Sequence, residues 1–179
     1  MGAVCVQQGG MDASCMYEDK KQILDFGEKG AEMEKEVLIC VKGIHAMDEN
    51  GERVPIEMVV PGEYYFRNGS HYLRYEEILE DSGEPTVNYV KISDKGLEVR
   101  KKGLVNVHMV FEPGKRNVSY YTTPFGTLKM GICATGVDVE QQENTLRVKA
   151  NYSLDMNEEH ASDCSLMIEA KQRISFDKR

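Results

Sequence analysis

Apolar and polar residues alternate along most of the chain, in short runs separated by polar turns. The alternation extends from Val37 to Lys171, and turn signals such as Asn50-Gly51, Asn68-Gly69 and Pro113-Gly114 interrupt it. Turns at intervals of about 8 to 12 residues are typical of all-β domains. The pattern therefore predicts about ten or eleven antiparallel strands that form an up-and-down barrel or a sandwich.

The segment EYYFRNGSHYLRY predicts the register of one hairpin. A tight turn at Asn68-Gly69 pairs Phe66 with His71 and Tyr65 with Tyr72. A slip by one residue would move apolar side chains to the polar face, so this register is well specified. The apolar face of the hairpin then contains Tyr64, Phe66, His71, Leu73 and Tyr75.

A second hairpin is predicted in the segment YYTTPFGTLKMGI. The core Thr123-Pro124-Phe125-Gly126 suits a type I turn followed by a glycine bulge. A loop of this kind pairs Tyr120 with Met130, and the pattern then places Tyr120 on the apolar, inward face. This turn is interpreted as a folding signal, because its register separates the apolar from the polar residues of both flanking strands.

The two ends of the chain differ from the part between them. Residues 1–36 are rich in glycine and charge, and the segment YEDKKQILDF offers at most one short helix. We expect an N-terminal extension that is disordered or helical, a barrel domain over residues 37–171, and a tail over residues 172–179. In an alternative reading, Met33 is the natural start, because strand-like sequence begins shortly after it.

Several motifs together resemble those of one bacterial family. These are GEYYFRNGSHYLRYEE, KGLEVRKKG, YYTTPFGTLKMGICATG and LRVKANYSLD, in this order. The chain resembles the YwiB-like family of uncharacterised bacterial proteins over about Val37 to Lys171. The resemblance implies a calycin-like β-barrel, as in lipocalins, and a bacterial cytoplasmic setting, but no reaction and no catalytic residue. Because the chain has no tryptophan, it lacks the Gly-x-Trp signature of true lipocalins.

The composition and charge of the chain argue against some classes of binding partner. The formal net charge is −8, which gives no electrostatic attraction to nucleic acid or to anionic membranes. No apolar run approaches the roughly 18 residues of a membrane helix, and no signal peptide is evident. The five cysteines are an odd number without a C-x-x-C pair, which favours reduced thiols in a cytoplasm. We therefore expect a soluble, cytoplasmic protein that binds neither nucleic acid nor membranes.

No catalytic or metal-binding motif is recognisable. The four histidines lack the spacing of metal ligands. The run NEEHASDC, at residues 157–164, is interpreted as a solvated turn, and the acidic residues around Glu76 and Glu77 as a solvated edge. Phosphate-binding loops and serine nucleophile motifs are absent. The sequence thus predicts no catalytic residue, no metal and no cofactor.

The remaining candidates for function are aromatic side chains that the pattern places inside the barrel. A buried tyrosine hydroxyl needs a hydrogen-bond partner, either in the core or in a ligand. The leading hypothesis is a non-enzymatic module that binds a small apolar or aromatic ligand. The alternatives are an interaction or structural module with a filled barrel, and an enzyme with its site in the barrel mouth. The proposed ligand-contacting residues are Tyr64, Phe66, His71, Tyr75 and Tyr120.

Overall fold

The structure, a computed structural model, describes residues 35–47, 53–78 and 83–173. All ten elements in this part of the chain are β-strands, as the sequence pattern predicts. The expected disorder or helix before residue 35 lies outside the described residues, and the first strand begins slightly before the predicted Val37. The strands are β1 (Lys35–Met47), β2 (Arg53–Arg67), β3 (Ser70–Ile78), β4 (Pro85–Ser93), β5 (Gly96–Lys102), β6 (Val107–Phe111), β7 (Arg116–Thr123), β8 (Gly126–Gln142), β9 (Thr145–Met156) and β10 (Glu159–Gln172).

The strands form one antiparallel sheet that curves into a nearly closed barrel. The order in the sheet is β6-β5-β4-β3-β2-β1-β10-β9-β8-β7, so consecutive strands pair with each other except β6 and β7, which lie at the two edges, and β1 also pairs with β10. The predicted up-and-down meander is therefore confirmed. Because neighbouring strands are antiparallel, successive connections alternate between the two ends of the barrel.

The barrel closes where β6 meets β7, and side chains complete this seam. The backbones of Asn106 and Thr122 exchange hydrogen bonds of 2.9 Å in an isolated bridge. Further along, the Ser119 hydroxyl donates to the carbonyl of His108 at 2.6 Å, and the Asn117 amide donates to another β6 carbonyl at 3.2 Å. These side chains satisfy carbonyl groups that a regular ladder would otherwise pair.

Inward-facing aliphatic and aromatic residues fill most of the barrel. They recur at alternate positions along each strand, as expected when one face of a sheet is buried. Burial of each such side chain contributes about 1.5–3 kcal/mol to folding. The most deeply buried ones include Ile39, Tyr64, Leu73, Ile92, Leu97, Phe111, Ile132, Leu146, Val148 and Ile168.

The β2–β3 hairpin has the predicted register. Phe66 pairs with His71, and Tyr65 pairs with Tyr72. The turn residues Asn68 and Gly69 have φ angles of 51° and 72°, and positive angles at both positions are what a type I′ turn requires.

The predicted register of the β7–β8 hairpin is wrong. Thr123 pairs directly with Gly126, so the loop is one residue shorter than expected. The Thr123 hydroxyl stabilises this tight loop by accepting from the backbone N–H of Phe125 at 3.1 Å. As a result Ser119, not Tyr120, lies opposite Met130, and its inward position lets it bond across the seam. Tyr120 points outward and is 60% exposed.

Gly43 bends β1 at a bulge. The pairing with β2 shifts between Lys42 and Ile44, and Gly43 has a φ of 109°. A Cβ atom at this position would overlap the carbonyl oxygen of Ser165 on β10. Only glycine combines this conformation with so close an approach of two strands.

Candidate functional site

One end of the barrel contains a cavity of about 440 Å³. It lies at the end that carries the β7–β8 and β9–β10 turns, and strands from almost the whole circumference contribute to it. Small-molecule sites in proteins have volumes of about 300–1,000 Å³, whereas one water needs only about 30 Å³. The cavity is therefore large enough for a small organic molecule. Its apolar lining includes Met109, Phe111, Met130, Tyr152, Leu154 and Met156.

The lining is apolar, aromatic and adaptable. Phe111 and Tyr152 make an edge-to-face contact with ring centroids 4.9 Å apart. Methionine side chains are flexible and polarisable, and they adjust to ligands of irregular shape. Burial raises the pKa of the Tyr152 hydroxyl, which keeps it in its neutral form. On β10, Ser162 and Cys164 also line the cavity, with Oγ and Sγ 3.1 Å apart.

An ion pair lies on the inner face of the barrel at this end. Lys101 on β5 donates to both carboxylate oxygens of Glu77 on β3, at 2.9 and 2.8 Å. Each side chain is only 15% exposed, and Lys101 lines the cavity. The prediction of a solvated edge is therefore wrong for Glu77. Its position two residues after the buried Tyr75 turns it to the inner face, where Lys101 balances its charge.

Two buried polar residues on β4 lie between the partners of this ion pair. Thr86 pairs with Glu77 on β3, and Asn88 pairs with Lys101 on β5 and also with the cavity-lining Tyr75. The ion pair thus bridges across β4 above Thr86 and Asn88. We call these residues the polar cluster: Glu77, Thr86, Asn88 and Lys101.

The polar cluster contains two atoms without hydrogen-bond partners among the described residues. They are Asn88 Oδ1 and Thr86 Oγ1, in side chains that are 0% and 2% exposed. Asn88 Nδ2 donates to the Thr86 carbonyl at 3.3 Å, which fixes the orientation of the amide. A buried polar atom left unpaired costs about 1–3 kcal/mol, so the cluster is an unusual feature of this core.

The predicted ligand-contacting residues lie in different places. Tyr75 lines the cavity. Tyr64 and His71 instead pack towards the opposite end, where the Tyr64 hydroxyl lies 3.0 Å from His71 Nδ1. Burial lowers the pKa of His71 to about 4, so the neutral ring can accept this hydrogen bond. Phe66 packs on the same imidazole, with ring centroids 5.0 Å apart.

Tyr120 does not reach the interior, because the register of its hairpin differs from the predicted one. It faces solvent on the outer side of β7, where its neighbours on the same face include Val118, which is 47% exposed. Inside the barrel, the neighbouring Tyr121 lines the cavity instead. The sequence alone did not identify Tyr121, because a one-residue difference in loop length exchanges the two tyrosines between faces.

The run NEEHASDC begins with the predicted turn, but its residues from Glu159 onward belong to β10. Asn157 and Glu158 occupy the turn with φ angles of 51° and 73°. Within the part of the chain that the structure describes, no group of three or more His, Cys, Asp or Glu residues could hold a metal ion. The run also contributes Ser162 and Cys164 to the cavity, which its interpretation as a turn does not anticipate.

The described cysteines are partly exposed free thiols. They are Cys40, Cys133 and Cys164. Cys40 and Cys133 occupy outward positions between inward neighbours on their strands, whereas Cys164 borders the cavity. No helix in the described ranges is long and apolar enough to cross a membrane.

The fold and the site define a class, an antiparallel β-barrel with an apolar cavity at one end. A family model described as a domain of unknown function, DUF1934, matches residues 39–168. The chain therefore belongs to this family, which confirms the resemblance found in the sequence.

Two comparisons point to the same relative. The chain is 24% identical over 127 residues to the uncharacterised β-barrel protein YwiB of Bacillus subtilis (strain 168), a match that covers 71% of this chain and 88% of the relative. The crystal structure of YwiB superimposes with a TM-score of 0.66 and 23% identity, covering 79% of this chain and 94% of the other. The structural likeness supports the barrel fold.

Proposed function

We propose that the protein binds a small, largely apolar or aromatic molecule in the cavity at the end of the barrel. The observation that carries this proposal is the cavity itself, about 440 Å³ of space between apolar side chains. Barrels of about eight strands are either filled by their own side chains or hold one small ligand, and close packing leaves few voids larger than a water molecule. A cavity this large forgoes part of the packing energy, which a ligand would restore.

The alternative of a filled barrel that serves only as an interaction module is less well supported. Such a module needs no interior space, and its function would depend on an exposed apolar surface. The β7–β8 hairpin does expose Phe125, Tyr120 and Val118, by 99%, 60% and 47%, but an interaction through this surface would leave the cavity without a role.

The alternative of an enzyme requires two titratable groups that converge from different strands. Glu77 and Lys101 meet this condition, because they approach each other from β3 and β5. Each neutralises the other in the present arrangement, since both carboxylate oxygens accept from the ammonium group. The pair is therefore better suited to organising a binding site than to exchanging protons with a substrate.

The first test is native mass spectrometry of the full-length protein purified from its own host. We expect a mass increase that corresponds to a small organic molecule and disappears after denaturation. The same spectrum reports any metal and the oligomeric state.

A second test blocks the cavity. Leu154→Trp places a large ring in the cavity, whereas Leu38→Trp makes the same change on the outer face of β1, where Leu38 is 43% exposed. We expect the neutral apolar dye N-phenyl-1-naphthylamine to bind the natural protein and the Leu38 variant, and to bind the Leu154 variant at least about tenfold more weakly. Equal binding by both variants would place the dye outside the barrel and contradict the proposal.

A further inference from the structure

A groove of about 330 Å³ lies on the outer face of strands β2 to β6. It shares no lining residue with the cavity inside the barrel, among the residues that the structure describes. Its lining combines tyrosines with cationic side chains. We propose that this groove binds a small nucleotide, whose base stacks on the tyrosines and whose phosphate is held by Arg100 and Lys102. This inference does not depend on the proposed function, because it concerns the opposite face of the sheet.

Tyrosine rings form one wall of the groove. Tyr65 on β2 and Tyr72 on β3 are cross-strand partners, and their rings stack in parallel with centroids 4.9 Å apart. Tyr89 on β4 also lines the groove, is 40% exposed and pairs with Arg100 in the sheet. A planar ring can extend such a stack or pack on Tyr89, because every nucleobase has a π-face.

The groove is positively charged although the whole chain is acidic. Among the described residues that line it, three side chains are cationic and one is a carboxylate, so the local charge is +2 with His108 neutral. The formal charge of the chain is −8. The carboxylate belongs to Glu98, and it accepts hydrogen bonds from Lys91 at 3.3 Å and from His108 Nε2 at 3.2 Å. The cations that remain for a ligand are Arg100 and Lys102.

Cross-strand pairing does not account for Arg100 and Lys102. Both are exposed, and neither makes an ion pair or a side-chain hydrogen bond within the described part of the chain. Across the sheet Arg100 faces Tyr89 and His108, and Lys102 faces Val87, so no carboxylate lies opposite them. Cations elsewhere on the outer surface lie beside carboxylates, as in the pairs Arg116–Asp155, Lys129–Glu158 and Arg147–Glu169.

The spacing of the two cations suits a phosphate group. Arg100 and Lys102 are two positions apart on β5, so they lie on the same face with Cα atoms about 7 Å apart. A phosphate monoester carries a charge of about −1.5 to −2 at neutral pH, which two cations balance. The guanidinium of Arg100 can also donate two parallel hydrogen bonds to phosphate oxygens.

The size and the charge of the groove favour a small ligand over a nucleic-acid strand. A volume of 330 Å³ is near the lower end of the range for small-molecule sites, which is about 300–1,000 Å³. Charges more than about 10 Å away are largely screened at physiological salt, so a mononucleotide interacts mainly with the positive groove. A long polyanion would also meet the acidic remainder of the surface.

The test compares ligands that carry one or both parts of a nucleotide. They are AMP, adenosine, which lacks the phosphate, and ribose 5-phosphate, which lacks the base. Dissociation constants are measured by isothermal titration calorimetry with the full-length protein. We expect AMP to bind at least about tenfold more tightly than either part. Raising sodium chloride from about 0.05 M to about 0.5 M should weaken the binding of AMP and leave that of adenosine unchanged.

Substitutions on β5 test the contacts to the phosphate. Arg100→Gln and Lys102→Gln should each weaken the binding of AMP about fivefold or more, with no change for adenosine. Lys149→Gln is the matched control, because Lys149 is exposed on β9 and does not line the groove. All three positions are exposed, so the variants should fold like the natural protein.

Substitutions at Tyr72 test the stacking of the base. Tyr72→Leu should weaken the binding of AMP and of adenosine alike, by about fivefold, whereas Tyr72→Phe keeps the ring and should bind both as the natural protein does. Leu154→Trp fills the cavity inside the barrel and should leave the binding of AMP unchanged. Should Tyr72→Leu fail to fold, the β5 variants decide the matter.

Several outcomes would overturn this inference. One is the absence of AMP binding at millimolar concentrations, and another is equal binding of adenosine and AMP. Much tighter binding of single-stranded oligoadenylate than of AMP would identify a nucleic-acid strand as the partner instead. Loss of AMP binding in Leu154→Trp would place the nucleotide inside the barrel. Failure of the apolar dye to bind, by contrast, bears on the proposed function alone.

Discussion

The two halves of the barrel differ in whether their buried polar groups have hydrogen-bond partners. In the half near the β2–β3 turn, Tyr64 and His71 form a hydrogen bond of 3.0 Å and are surrounded by packed side chains. In the half with the cavity, Asn88 and Thr86 keep buried polar atoms unpaired among the described residues, and Asn88 pairs in the sheet with Tyr75 and Lys101, which line the cavity. Natural cores satisfy nearly all buried polar groups, and exceptions concentrate at functional sites. Under the proposed function, the first half maintains the fold and the second half binds the ligand.

The largest expected difference between the halves is in packing. Leu73 is 2% exposed in the packed half, whereas Leu154 borders the cavity. Leu73→Ala should lower the free energy of unfolding by about 3–4 kcal/mol, because it opens a new void. Leu154→Ala should cost only about 1–2 kcal/mol, since part of this side chain already lacks neighbours. Equilibrium unfolding in urea measures both, and equal losses would show that the two halves are packed alike.

The next effect is a dependence on pH that arises in the packed half. The pKa of His71 falls from 6.5 to about 4 on folding, so the unfolded chain binds a proton more readily than the folded one. The stabilisation is therefore complete above pH 6.5 and is lost as the pH falls from 6.5 towards 4. Its full size is about 3 kcal/mol.

This contribution can be isolated by substitution. His71→Phe should flatten the decrease in unfolding free energy between these pH values, whereas His108→Phe should not, because His108 is exposed beside Glu98. The carboxyl groups that titrate in the same range are common to all three proteins and cancel in the comparison. Parallel pH profiles for the natural protein and His71→Phe would contradict the expected burial of a neutral imidazole.

A smaller effect concerns the ion pair of the cavity half. Glu77→Gln leaves Lys101 with an unbalanced charge in a largely buried place and should cost about 2 kcal/mol. Glu63→Gln provides the control, because Glu63 and Arg74 lie 3.3 Å apart and both side chains are more than a third exposed. It should cost less than about 0.5 kcal/mol. Lys101→Met in the Glu77→Gln background should restore part of the loss, and a double-mutant cycle without coupling would show that the pair is not formed.

The smallest expected effect has the opposite sign. Asn88→Leu should raise the free energy of unfolding by about 1 kcal/mol, because it removes an unpaired buried acceptor. Asn151→Leu, on the outer face of β9, should change it little. A gain in stability would mean that the polar cluster is retained at a cost to stability. A marked loss of stability would indicate that Asn88 Oδ1 has a partner in solution.

The local parts of the fold follow directly from the sequence. The Asn68-Gly69 turn supplies two residues that tolerate positive φ angles, and the alternation on either side of it admits only one register. Turn spacing likewise predicted a meander of strands, since each strand can pair with its chain neighbour. Such features depend on contacts between residues close in sequence.

The β7–β8 hairpin shows where such reasoning fails. Both possible loop lengths place apolar residues on one face of β8, so the pattern could not choose between them. The closure of the barrel favours the shorter loop, because Ser119 then faces the carbonyl of His108 across the seam. Tyr120 is consequently outside and Tyr121 inside. This choice depends on a strand that is far away in the unfolded chain.

The candidate site was only partly predictable for the same reason. Alternation places Glu77 on the same face of β3 as Tyr75, and Lys101 on the same face of β5 as Val99. An ion pair on the inner face could therefore have been predicted from the sequence. The unpaired Asn88 and the cavity beside it were not, because they depend on how many strands close the barrel and on which side chains then fill it.

The sequence by itself thus determined the strands, their up-and-down order and the buried face of strands such as β3 and β8, but not that of β7. These follow from side-chain alternation and turn chemistry, which act over a few residues. Only the tertiary structure decided the register at the seam, the separation into a packed half and a cavity half, and the position of the polar cluster. These depend on closure of the sheet, which brings together strands distant in sequence and leaves space where their side chains do not meet.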